Sequence, residues 1–251
     1  MRLFSQYASA VVVSLFGVFG AVPTSQAAES FSACPQFFAN ARSPVVVPRP
    51  TDRALCYDAF AILHSGESKT PVFVAEKLNR AAVADADEKR TNRFFPDARL
   101  RAAERASLDD YKNSGYDRGH MAPAGDMPTA QAMAQSFSLA NMVPQSSELN
   151  RGPWASSVEG ATRKYASRAT GNVFIITGPV YFPNIAQSQS IGRGKVRVPK
   201  YLFKLVYDQD QNRAWAHWHE NKGTRTERPI GYAELVRRTG IDFLPGLNPK
   251  D

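Results

Sequence analysis

The sequence predicts an α+β fold, a twisted and mostly antiparallel sheet flanked by helices. Several short runs rich in β-branched and aromatic residues are separated by turn signals, as sheet strands are. Three other stretches carry helical patterning. The 251 residues are 43% hydrophobic, which supplies a sizeable core. With no internal repeat, long linker or low-complexity segment to divide it, the chain reads as one domain behind an N-terminal leader and arm.

The elements follow in chain order. Residues 1–27 read as a signal peptide, with one early charge at Arg2, an apolar run from Ala8 to Val22, and Pro23 breaking that run. The small residues Ser25-Gln-Ala27 precede the expected cleavage point. The run is shorter than the roughly 20 apolar residues that span a bilayer. The expectation is therefore an exported chain, periplasmic or secreted, with no membrane segment after cleavage. Residues 28–69 form an N-terminal arm holding both cysteines, Cys34 and Cys56. An oxidising compartment would pair them, for roughly 2–4 kcal/mol.

From residue 70 to 251 the sheet and helices alternate. Thr70–Leu78, Asn172–Gly178, Tyr201–Tyr207 and Arg213–Glu220 read as strands, the last two joined through the Asp208–Asn212 turn. Lys195-Val-Arg-Val198 alternates strictly. Helices are expected at Thr129–Ala140, Ser157–Ala169 (with Ser157 as N-cap) and Tyr232–Thr239.

Composition narrows the function. Two cysteines and ordinary glycine and proline contents exclude a disulfide-dense mini-protein, a collagen-like chain and intrinsic disorder. Thirty-one Lys and Arg against 23 Asp and Glu leave a formal charge of +8, which leans toward an anionic partner.

Chemistry concentrates in two segments. Tyr116-Asp-Arg-Gly-His-Met-Ala-Pro-Ala-Gly-Asp-Met127 sets His120 among charged, Gly and Pro residues. An imidazole of ordinary pKa near 6.5 accepts a proton at neutral pH, as a general base must. The second runs from Leu139 through Asn150 to Trp154, followed by Glu159 and Arg163, four residues apart on one helix face.

Together these residues resemble the DNA/RNA non-specific endonuclease family, the ββα-metal nucleases. Asp117-Arg118-Gly119-His120 is similar to the family signature. Asn141…Pro144-Gln145…Leu149-Asn150-Arg-Gly…Trp154 is similar to its metal-binding segment. Val173–Tyr181 and Thr239–Pro245 extend the likeness over most of the chain after about Pro71. The resemblance implies an endonuclease that hydrolyses DNA and RNA to 5′-phosphate products. His120 would be its general base and Asn150 the one direct protein ligand of a single Mg²⁺, with Mn²⁺ as a substitute ion. Glu159 would hold metal-bound waters, Arg163 would contact the scissile phosphate, and Arg118 would add positive charge there. An upstream phosphate-binding arginine falls on Arg90 or Arg93, with Arg93 preferred because it precedes Phe94-Phe-Pro-Asp97. The sequence departs from the pattern in one respect. Trp154 to Glu159 is one residue longer than usual, so either Glu159 and Arg163 keep the metal-facing side or Val158 takes that slot.

Further features bear on function. Lys195 and Arg197, with Lys200 and Lys204, are read as a track for the nucleic-acid backbone. His217 and His219 share a strand face and could hold Zn²⁺, but a partly exposed aromatic-rich strand is the better reading. Gly192-Arg-Gly-Lys195 reads as a hairpin turn rather than a phosphate cradle. A serine hydrolase finds no Gly-x-Ser-x-Gly element. A catalytically decayed nucleic-acid-binding protein of the same fold stays open as the alternative, as do a homodimer and an inhibitor protein as partners.

Overall fold

The computed structural model describes residues 31–223 and 225–251; the expected signal peptide lies outside the described residues. Seven strands pair into one antiparallel sheet in the order β1-β2-β3-β6-β9-β10-β11. They are β1 (Asp52–Cys56), β2 (Phe60–Ser65), β3 (Thr70–Leu78), β6 (Val173–Val180), β9 (Tyr201–Asp208), β10 (Arg213–Glu220) and β11 (Ile230–Gly231). The expected antiparallel α+β architecture is therefore present. β3 and β10 have the bounds that the sequence predicts. The arm differs from expectation, because β1 and β2 join the main sheet. β2 carries six consecutive buried residues, Phe60 to Ser65. Such a run shows no alternation, and that hides it from period-based reading.

Side-chain alternation gives the sheet two unlike faces. On one, Phe73, Ala75, Ile176, Phe203, Leu205 and Ala216 pack under Phe31, Phe37 and Phe38 and the C-terminal Leu235, Phe243 and Leu244. The Cys34–Cys56 disulfide, with Cα atoms 5.8 Å apart, ties this N-terminal segment to β1 as expected. On the other face, Ile62, Val74 and Leu202 pack against Met121, Met127, Phe137, Trp154 and Val158. That second face also carries charge. Thr177, Lys204 and His217 are register partners on β6, β9 and β10, and Glu76 on β3 completes a polar row.

Over this row lies a compact ββα unit. β4 (Asp117–His120) pairs antiparallel with β5 (Met142–Gln145), and the chain then turns into helix. Gly119 is needed where they pair, because a Cβ there would collide with the Gln145 side chain. The Gly and Pro of this region read in the sequence as a loop, but its ends are strands.

The helix begins earlier than predicted. Its first turn is Ser147–Leu149, its middle is a π-type segment Asn150–Glu159 broken at Gly152, and its last part is Gly160–Ala166. Ser157 is therefore a mid-helix residue, not an N-cap. Wider turns absorb an extra residue: the Gly160 amide reaches back five residues to the Ala155 carbonyl. The one-residue extension between Trp154 and Glu159 falls within this segment. Val158 packs in the apolar core while Glu159 stays half-buried.

Candidate nuclease site

Asp117, at the start of β4, organises the site. Its carboxylate accepts hydrogen bonds from Ser147 Oγ (3.0 Å), Asn150 Nδ2 (2.9 Å) and both Nε and Nη2 of Arg151 (2.8 and 2.7 Å). Burial works against its charge, but these bonds hold the carboxyl below the usual aspartate range. The first helical turn is thereby bound to β4, and the Asn150 amide is oriented. With Nδ2 committed to Asp117, Oδ1 is the amide atom left for a cation.

Asn150 lines a cavity of about 580 Å³ with Arg90, Phe94, Lys112, Tyr116, Asp117 and Arg118. Oxygen donors in a polar cavity fit a hard cation such as Mg²⁺, which keeps most of its waters. No cluster of three or more His, Cys, Asp or Glu able to hold a metal occurs among the described residues. His217 and His219 accordingly gain no third ligand. Both are buried rather than partly exposed, and only Trp215 on their face is half-buried.

His120 sits at the far end of β4, one layer behind Phe94, with ring centroids 5.8 Å apart. It is 7% exposed and edge-on to Phe137 at 5.0 Å, and its Nε2 has no hydrogen-bond partner. The chain beyond it is pinned by Asn141, whose side chain bonds both the amide and the carbonyl of Ala122 at 2.9 Å. Burial, with Arg90 and Arg118 adding positive charge, pushes the imidazole pKa down to about 3. The ring is thus neutral at any physiological pH. Arg118 lies 4.1 Å over the Phe94 ring.

The upstream arginine on the cavity is Arg90, not Arg93. Arg90 packs over Phe137 at 5.0 Å and adds to the field on His120, whereas Arg93 is exposed and off the cavity wall. The three-residue spacing alone cannot choose between them; the Phe137 ring does.

Glu159 and Arg163 do not line the Asn150 cavity. They belong to a buried charge cluster beneath the helix. Arg163 forms an ion pair with Asp126, and Lys204, 1% exposed, donates to Thr177 Oγ1 at 2.8 Å. Lys204 Nζ also lies 3.4 Å from Glu76 Oε1 and from the Met121 carbonyl, next to His120 in the chain. Burial pushes the carboxyls of Glu76 and Asp126 up, opposed by Lys204 and Arg163. Burial likewise raises Glu159, to about 7.

The expected backbone track is not an exposed stripe. Lys204 is buried, Lys200 pairs with Glu220 at 2.6 Å, and Arg197 donates to the Ser188 carbonyl at 3.0 Å. Lys195 is exposed at the β7–β8 turn (Ser190–Ile191 and Val196–Arg197) in a left-handed conformation, φ 56°. Neither Lys195 nor Arg197 lines the Asn150 cavity. Missed in the sequence were Asp117 as anchor and the pairing of Glu76 with Lys204. The one signal for the pair was charge inside the apolar strands β3 and β9.

This arrangement can be set beside known proteins. The profile of the DNA/RNA non-specific endonuclease family matches residues 39–250. The chain belongs to that family. Among its relatives, zebrafish mitochondrial nuclease EXOG is 34% identical, covering 78% of this chain and 60% of its own length. The mitochondrial nuclease of Saccharomyces cerevisiae is 35% identical, covering 76% and 65%. A chain in the crystal structure of the EndoG/EndoGI complex superposes with a TM-score of 0.70 at 25% identity, covering 78% of this chain and 86% of that one. The chain spans about 60% of the length of the zebrafish and human EXOG proteins. Human endonuclease G, also among the relatives, is likewise mitochondrial. That these nuclease-family relatives are mitochondrial overturns the expectation of an exported, periplasmic or secreted protein.

Proposed function

We propose that this member of the nuclease family is a Mg²⁺-dependent endonuclease that cleaves DNA and RNA without sugar specificity, leaving 5′ phosphates. The observation that carries this reading is the shared anchoring of Asn150 and Arg151 by Asp117, on the strand that ends in a neutral His120. The supporting comparison is the family match together with relatives named as nucleases.

In this reading Asn150 holds the ion through its amide oxygen. A bound divalent ion would neutralise charge on the phosphate and the leaving 3′ oxygen. His120 accepts the proton of the attacking water. Arg90 and Arg118 bind the phosphate, and the anion offsets the positive field that adds to burial in keeping the imidazole weakly basic, so substrate binding raises its basicity where it is needed. Glu159 and Arg163 support the site from the buried cluster. Positively charged walls and the lack of a base-reading module favour slight sequence specificity and steep salt dependence. An inhibitor protein is a partner class that the likeness to the EndoG/EndoGI complex supports.

Incubation of purified protein with plasmid DNA and with RNA, each with Mg²⁺, Mn²⁺ or EDTA, tests the proposal. Cleavage of both polymers with either ion and none with EDTA is expected. Binding without cleavage would favour the decayed binding protein instead.

A further inference from the structure

A second concavity adjoins the Asn150 cavity. It encloses about 470 Å³, and the two share Asp109 and Lys112 in their walls. Lys69, Arg105 and Arg193 line the rest of its charged surface. These four cations, gathered in one concavity, differ from the ion-paired cations of the surface. Arg49, Arg53, Arg99, Arg151, Lys200, Lys222, Arg237 and Arg238 all have a carboxylate within ion-pair distance, whereas Lys69, Arg105, Lys112 and Arg193 have none among the described residues.

The fold keeps them so. Asp110, the nearest buried carboxylate, is spent on structure. It accepts from the Ser107 amide (2.9 Å) and hydroxyl (2.8 Å) and from the Gly194 amide (2.6 Å). The last bond clips the β7–β8 turn against the short helix Leu108–Tyr111, and a Cβ at Gly192 or Gly194 would strike Asp110. Arg193, between those glycines, is thereby carried to the wall that Arg105 and Lys112 share. Arg105 is itself braced by Nη1 bonds to the Asp97 and Leu100 carbonyls at 2.8 and 3.3 Å. Exposed Asp109 is the one remaining carboxylate in the wall.

We infer that this second concavity is a flanking-strand subsite, in which Lys69, Arg105, Lys112 and Arg193 take successive phosphates of a polynucleotide leaving the Asn150 cavity. A concave run of unpaired cations continuous with a cavity that binds a phosphodiester matches a polyanion better than a single small anion. The inference rests on the nuclease reading for the direction of the strand, and it adds residues that the sequence did not single out.

The test is affinity for a fluorescent 20-nucleotide single strand in EDTA, by anisotropy over a salt series, for wild type and Lys69→Gln/Arg193→Gln. Neither residue touches the Asn150 cavity. Losing two phosphate contacts should weaken binding and make the slope of log K against log salt shallower by about 1.4, at about 0.7 per contact on a single strand. Lys69→Gln alone should give about half that change, so the test survives if the double variant folds poorly. Equal affinity and slope for wild type and folded variants would overturn the subsite. Cleavage by wild type with Mg²⁺ is scored separately. Its absence would remove the nuclease reading and leave the EDTA result to judge the groove.

Discussion

At the scale of single residues, His120 and Asp117 divide the labour. The imidazole supplies basicity and the carboxylate supplies order. His120→Ala should lower the cleavage rate by about 10²–10⁴, the range for a lost general base, with DNA affinity in EDTA retained. Turnover near the wild-type rate would remove His120 from that role. Asp117→Ala frees the Asn150 amide and the Arg151 guanidinium together. It should raise the Mg²⁺ needed for half-maximal rate by about 10–100-fold, as lost outer partners of metal ligands do; an unchanged Mg²⁺ titration would contradict the orienting role. The pH dependence differs from what a histidine of ordinary pKa implies. With His120 held near 3 in the free protein, kcat/KM should not fall through 6.5 on that residue's account. A limb near neutrality belongs to Glu159, raised to about 7, and should disappear in Glu159→Gln. The Asp-Arg-Gly-His and Asn150 positions were legible because they resemble motifs of the family. Arg90 was not distinguishable from Arg93, because an aromatic contact more than forty residues away chooses between them.

At the scale of elements, the π-type segment and the buried row beneath it decide how the helix sits. The extra residue was visible as a spacing anomaly, but a sequence cannot say whether it shifts the helix or widens a turn. Deleting Ser157 should close the wide turns to ordinary α-helical spacing and leave Glu159 and Arg163 on the same face relative to the Asn150 turn. Circular dichroism should report a retained fold with cleavage close to wild type, and a sharp loss of cleavage in the folded variant would mean that the wide turns do not absorb the extra residue. Lys204 is the keystone of the row. Its removal in Lys204→Met leaves Glu76 buried without its cation, at a cost of about 3–5 kcal/mol in unfolding free energy by chemical denaturation. A loss below 1 kcal/mol would show that the pair is not coupled to folding. The strands β3, β9 and β10 were legible from β-branched and aromatic content. Strand β2, wholly buried, and the short β4 and β5, rich in Gly and Pro, were not, since their pairing is decided by partners distant in sequence.

At the scale of the whole molecule, two cores lie on opposite faces of one sheet, and all four histidines are buried with their pKa lowered. Burial lowers His64 and His217 to about 4 and His120 to about 3, each from 6.5. The folded pKa lies below the unfolded one. The unfolded chain therefore binds more protons between these values, and stability present above pH 6.5 is lost as pH falls toward 4. For fully buried His64 that shift corresponds to roughly 3 kcal/mol. A melting temperature that stays flat from pH 7 to 4.5 would contradict the buried neutral state. The net charge of +8 was legible as a pointer to polyanions, but its distribution was not. The basic residues expected to track nucleic acid are buried, paired or off the cavity, while unpaired cations gather where three separate loops meet.

The most direct test of the account is a Mg²⁺ titration of plasmid cleavage by wild type and Asn150→Ala, with EDTA as the zero. The account predicts metal-dependent nicking by wild type, and a variant that needs far more Mg²⁺ and remains slower at saturation. Superimposable titrations, or wild-type cleavage that persists in EDTA, would contradict it.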